Sequence, residues 1–283
     1  MNKFYIQIFF FLLSVSVYLN NKTLATEPAP EEDTQIKYKS KKRYATPEKI
    51  YEKNKHLLCT NRNETINAAK LMNEAATYLE RHIKSSEGYE VCTCGLFYGR
   101  SFSIKSHEDT IVQRINYKYY HPNNYNEIIN LLWNPAFANN FNPGSVKRKI
   151  VRTYNPNLAI IQQRYKNGFR DRWKYFYALA AKVDISKEKT IIVMASANIN
   201  DHNSKNKGSY KNSIIENANL FTTDIDSEYD IRKGKLKKTF VNIAGYLIEK
   251  RDWYIDITYL ESIDGHISNY QKLIIEKVLN KFF

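Results

Sequence analysis

The sequence predicts an α+β protein, with helices at both ends of the chain and one antiparallel sheet between them. Three observations predict this. Apolar residues recur at three- and four-residue spacing over 61–85 and again over 268–283. The region between is rich in β-branched and aromatic residues broken by polar turns. One short apolar helix interrupts those strands near residue 130. A curved sheet with a terminal amphipathic helix laid over it leaves a concave apolar space, a common place for a hydrophobic ligand.

The elements follow in order. Lys3, an apolar run from Phe4 to Leu19 and small residues ending at Ala25 read as a signal peptide over 1–25. The run is shorter than the roughly 20 residues of a spanning helix and holds Gln7, Ser14 and Ser16, so a signal anchor is the lesser reading. A secreted protein is expected. Residues 26–45 carry Pro28, Pro30, an acidic cluster (Glu31, Glu32, Asp33) and a basic one (Lys37, Lys39, Lys41, Lys42, Arg43), the composition of a disordered linker.

Two N-terminal helices are expected over 46–85. The first has Pro47 in its first turn and runs to about Leu58. The second starts at Asn61, where Glu64 completes a capping-box pattern, and Ile66, Ala69, Met72, Ala76, Leu79 and Ile83 form its apolar stripe. Strands are expected from Tyr89 onward, among them 150–154, 158–165, 175–183, 190–197, 239–249 and 253–260, with a short helix Tyr125–Trp133 between the first of them. In the terminal helix Ser268 and Gln271 repeat the capping pattern, and Ile274, Ile275, Val278, Leu279 and Phe282 share a side. Residues 86–283 are thus expected to form the main domain. Cys59, Cys92 and Cys94 allow one bridge, from Cys59 to either of the others, or three reduced thiols.

The formal net charge of +14 favours anionic partners such as membrane surfaces. Neither Gly-x-Ser-x-Gly nor His-Glu-x-x-His occurs, there is no phosphate-binding Gly loop, and the six His are scattered. No enzyme, catalytic residue, metal site or cofactor is therefore expected, and no nucleic-acid recognition motif is present.

Three stretches, taken together, resemble the START lipid-transfer family. They are Asn126 to Pro135 followed by Phe141-Asn142; Arg172 to Val183 with Thr190 to Ser196; and Gly245 to Ile248, Trp253 to Leu260 and Ile263 to Ser268. Trp173-Lys174 replaces the family's usual Asp-Phe, Ser268 replaces a Pro, and about 20 residues around Lys211 to Asp230 look inserted. The leader, Asn21 to Pro30 and Lys49 to Lys55 resemble the fam-a exported START-domain proteins of rodent malaria parasites. The resemblance implies a START-like helix-grip fold, in which a curved antiparallel sheet wraps a C-terminal amphipathic helix. It implies a phospholipid ligand, phosphatidylcholine favoured, moved between membranes by a monomer, and export to the parasitophorous vacuole and host red cell.

On that reading the inward apolar set is Leu158, Ile160, Phe176, Ile192, Met194, Val241, Ile243, Ile255 and Ile257, with Ile275 and Leu279 from the terminal helix. Trp133, Phe141, Tyr175 and Tyr177 are aromatic candidates for a quaternary ammonium. Arg148, Arg152 and Arg164 are candidates for the lipid phosphate. The basic stretches Lys147-Arg148-Lys149, Arg170 to Lys174 and Arg232 to Lys238 are candidates for docking on anionic lipid. The alternative is a secreted adhesin or antigen that keeps the scaffold without moving lipid.

Overall fold

The computed structural model describes residues 44–91, 100–108, 110–135, 146–166, 172–205 and 210–263. Helix α1 (Pro47–Lys53) starts at Thr46, whose side chain accepts from the Lys49 amide, and ends at Asn54, short of the expected Leu58; a 3-10 turn follows. Asn61 caps helix α2 (Arg62–Lys84) by accepting from the amides of Asn63 and Glu64, as its side-chain chemistry predicts. Glu64 does not complete the box. Its carboxylate turns instead to Arg152, Tyr154 and Thr223. The buried stripe of α2 is Ala68, Leu71, Met72, Ala75, Ala76, Leu79 and Ile83; Ile66, expected inside, is 54% exposed.

The strands are β1 (Glu90–Val91), β2 (Arg100–His107), β3 (Thr110–Tyr119), β4 (Val146–Asn155), β5 (Leu158–Tyr165), β6 (Lys174–Ser186), β7 (Lys189–Ala195), β8 (Asn198–Asn200), β9 (Thr222–Asp224), β10 (Lys237–Lys238), β11 (Val241–Lys250) and β12 (Ile255–Ile263). Helix α3 (Tyr125–Trp133) lies between β3 and β4, and the one-turn helix α4 (Tyr229–Arg232) lies between β9 and β10. The main sheet runs β1-β2-β3-β12-β11-β7-β6-β5-β4, antiparallel throughout this path, with β10 added parallel to β6. The fold is α+β, and its sheet is curved.

Both faces of the central strands are buried, so residues 158–161 of β5 and 175–181 of β6 are apolar in succession with no alternation to read. Helix α2 covers one face across β6, β7, β11 and β12. The expected insertion packs against the same apolar cluster, through Ile214, Ile215, Ala218, Phe221, Ile225 and Ile231. Arg114 of β3 fixes the far end of α2 by donating from Nη1 to the carbonyls of Ile83 at 2.6 Å and Ser85 at 2.7 Å, a cation on orphan C-terminal carbonyls.

Helix α3 and Ile50 of α1 lie on the opposite face. The Tyr125 hydroxyl donates to Thr190 Oγ1 of β7 at 3.1 Å and anchors α3 over the sheet. From α1 the chain passes along the edge of β4, where the Cys59 amide donates to the Thr153 carbonyl at 2.8 Å, and then enters α2. Cys59 keeps a half-buried free thiol, while Cys92 and Cys94 lie outside the described residues. The expected terminal helix, with Ser268, Ile275 and Leu279, lies outside them too, as do the leader and most of the linker.

Candidate functional site

A hollow opens on the face away from α2. Leu132, Trp133 and Pro135 roof it at the end of α3; Arg148, Ile150, Ala159, Ile161, Ala180, Ile192, Met194 and Tyr246 line it from five strands. Its space, counting the part that is open to solvent, is about 430 Å³. Local sequence explains the hollow. Cross-strand pairing sets Ala159 beside Ala180 and Ala180 beside Met194, so the floor carries two adjacent alanines. Ladder hydrogen bonds hold these strands regardless of side-chain size, so small residues leave space instead of letting the floor rise.

Six polar groups share this face. Arg148 and Gln163 are cross-strand partners on β4 and β5, and the guanidinium Nε donates to Gln163 Oε1 at 2.8 Å. Burial holds the Arg148 guanidinium below its ordinary basicity. Trp133 is only 8% exposed, and its Nε1–H has no hydrogen-bond partner among the described residues. A buried unmatched donor of this kind costs about 1–3 kcal/mol unless something accepts from it. Tyr246 of β11 and Tyr259 of β12 are a cross-strand pair with ring centroids 4.8 Å apart. Beyond them the Tyr259 hydroxyl donates to Glu261 Oε2 at 2.8 Å. Burial pushes the Glu261 carboxyl up to about 7, against the lowering effect of that hydrogen bond. The face can therefore meet an anion at Arg148 and Trp133, and a cation at the two rings and the Glu261 carboxylate.

The expected site residues divide between the faces. Trp133, Ile192 and Met194 line the hollow, and Phe176, Val241, Ile255 and Ile257 belong to the apolar cluster around it. Leu158, Ile160, Tyr175, Tyr177 and Ile243 are corrected to the opposite face, in the cluster under α2. There the Tyr175 hydroxyl donates to Asp201 at 2.8 Å and the Tyr177 hydroxyl accepts from Gln162 at 2.6 Å. Phe141, Ile275 and Leu279 lie outside the described residues.

Of the three arginines only Arg148 reaches the hollow. Arg164 shares the parity of Leu158 and Ile160 and forms a two-pronged pair with Asp230 at 2.6 and 3.0 Å. Arg152 shares the parity of Arg148, but a register shift between Ile150 and Arg152 turns it to the α2 side, 2.7 Å from Glu64. Sequence reasoning missed Ala159, Ala180, Gln163, Tyr246, Tyr259 and Glu261. A signal existed for Glu261, a charge at the buried-side parity of Ile255 and Ile257.

Among the described residues there is no group of three His, Cys, Asp or Glu suited to a metal, and no helix long and apolar enough to cross a membrane. No family model matches the chain, and no curated protein matches it. Among solved structures it is similar to human STARD10, with 11% identity over 73% of this chain and 72% of that chain and a TM-score of 0.49. It is similar to human StAR-related lipid transfer protein 5, with 11% identity over 74% and 88% of the two chains and a TM-score of 0.49. A StAR-related lipid transfer protein from Xanthomonas axonopodis matches at 8% identity over 62% and 81%, with a TM-score of 0.40.

Proposed function

We propose that this chain binds a phospholipid in the hollow between α3 and the sheet and carries it between membranes. One observation carries the reading: Arg148 borders a space otherwise lined by aliphatic and aromatic side chains over an alanine floor. A guanidinium in apolar surroundings suits a ligand that is apolar along its length and anionic at one end. In this reading Arg148 meets the phosphate, and the Trp133 Nε1–H donates to a phosphate or ester oxygen. The faces of Tyr246 and Tyr259, backed by the Glu261 carboxylate, receive a quaternary ammonium. That combination favours phosphatidylcholine. Apolar walls are required because each acyl methylene withdrawn from a bilayer costs about 0.8 kcal/mol unless it is buried again.

Carriage needs no covalent step, so we read the protein as a binder and not an enzyme. With the resemblance of its N-terminal third, we also propose that it is secreted and exported to the host red cell. The test is mass spectrometry of lipid co-purifying with the protein, together with transfer of labelled phosphatidylcholine between vesicles. One lipid at near-equal stoichiometry that moves between vesicles supports a carrier. An empty, inactive protein would leave the adhesin reading instead.

A further inference from the structure

We propose that the outer surface where β4, β5, β6 and β10 meet is a docking site for a bilayer containing anionic phospholipid. This deepens the carrier reading and rests on it for choosing a bilayer over other polyanions.

The strand pairing draws three distant basic stretches together. Lys147 lies opposite Arg164, Tyr165 opposite Lys174, and Lys174 opposite Lys237. The acidic residues of the region are already engaged: Glu228 pairs with Lys149 and Arg164, Asp230 with Arg164, and Asp226 with Arg232. Lys147, Arg172, Lys233, Lys235 and Lys237 are all exposed, and among the described residues none of them has a carboxylate within ion-pair range. Arg172 is held in place by donating to the carbonyls of Lys235 at 2.8 Å and Gly234 at 2.5 Å.

Two aromatic rings are set among these cations. Tyr229 is 62% exposed, with the Lys233 and Lys235 ammonium groups 5.7 and 5.3 Å from its ring centroid. Trp173 has Lys147 and Lys166 at 5.6 and 5.3 Å. Rings flanked by ammonium groups suit the headgroup layer, where the ring rests at the polar–apolar boundary and the cations meet phosphates. Lys147 is on this surface, and its neighbour Arg148 borders the hollow. A bilayer held here therefore meets the end of β4 from the sheet face opposite to the one on which Arg148 borders the hollow.

The test is flotation of the whole protein with vesicles of phosphatidylcholine alone or with phosphatidylserine added, for the wild type and for K233Q/K235Q. Each cation near an anionic surface is worth roughly fivefold in binding, so the double variant is expected to bind the anionic vesicles about 25-fold more weakly. Binding of the wild type should fall steeply with salt. Co-purified lipid, measured on the same samples, should be unchanged in the variant. Equal binding to both vesicle types, or undiminished binding by the variant, would overturn the proposal. So would retention on heparin or RNA without vesicle binding. Vesicle docking by a protein that carries no lipid would leave this surface standing and remove the carrier reading.

Discussion

The ring of Tyr246 lies 4.8 Å from that of Tyr259, tilted by 41°, on the sheet face that also carries Arg148 and Glu261. Burial makes both phenols less acidic than ordinary tyrosines, so they stay neutral at any physiological pH. The pair stands between a cation and a carboxyl.

Replacing Arg148 by Leu should cost cargo and leave the fold. Lipid recovered with R148L is expected to fall at least tenfold, because the ligand phosphate loses its charge-assisted partner, worth about 1.5–3 kcal/mol. Arg152 gives the contrast. R152A leaves the half-buried Glu64 carboxylate without its cation and should lower stability by about 2–4 kcal/mol while cargo is retained. Denaturant titration beside lipid analysis separates the two; the opposite pattern would place the phosphate site on the α2 face.

Filling the floor should exclude lipid. Ala180 faces the hollow among Ile192, Met194 and Ile161. A180L adds three carbons to empty space, so it should reduce lipid stoichiometry severalfold with a stability change under about 1.5 kcal/mol. A large loss of stability would mean that the space is already filled.

Glu261 should make stability fall as pH rises. Its carboxyl is 5% exposed and titrates at about 7 instead of the ordinary 4.5. Between those values the folded state binds more protons than the unfolded one. Its contribution is therefore fully present below about pH 4.5 and lost as pH rises through 7, by about 3 kcal/mol. The difference in stability between wild type and E261Q, measured across pH 4–8, should follow this curve.

His82 should act in the opposite sense. It is buried at the end of α2, its ring edge-on to His107 at 5.7 Å, and burial with nearby positive groups lowers it from 6.5 to about 4. The folded state resists protonating it, so its contribution is present above about pH 6.5 and lost on acidification toward 4, by up to about 3 kcal/mol. H82N should remove that acid sensitivity in thermal melts between pH 4 and 7.

The parts of this architecture that were legible in the sequence are those fixed by local chemistry. Asn61 caps α2 because a short amide can reach the next amides, and Tyr125–Trp133 is a helix because its apolar residues repeat on one side. The face of each strand residue was not legible. From Leu158 to Gln163 every residue is buried, so alternation carries no information about which side meets α2 and which meets the hollow. The register shift beside Val151 reverses parity within a single strand and sends Arg148 and Arg152 to opposite sides. Strands β2 and β3, rich in Ser, Lys and polar residues, offered no apolar run by which to bound them.

Gly245 should prove irreplaceable. A Cβ there would lie 2.2 Å from the Ile192 carbonyl oxygen and 2.9 Å from Val193 Cα, both backbone atoms that cannot move aside. G245A is expected to destabilise the protein by more than about 2 kcal/mol in chemical denaturation, through displacement of β11 from β7.

The alanine floor separates two properties that most proteins must change together. Ala159 and Ala180 set the depth of the hollow, while the backbone ladders through the same residues hold the sheet. Substitutions at these two positions would change which molecule fits while strand order and helix packing stay the same. A lineage could therefore explore new cargoes through single-residue changes without first acquiring spare stability, and a designer could retune the protein along the same axis.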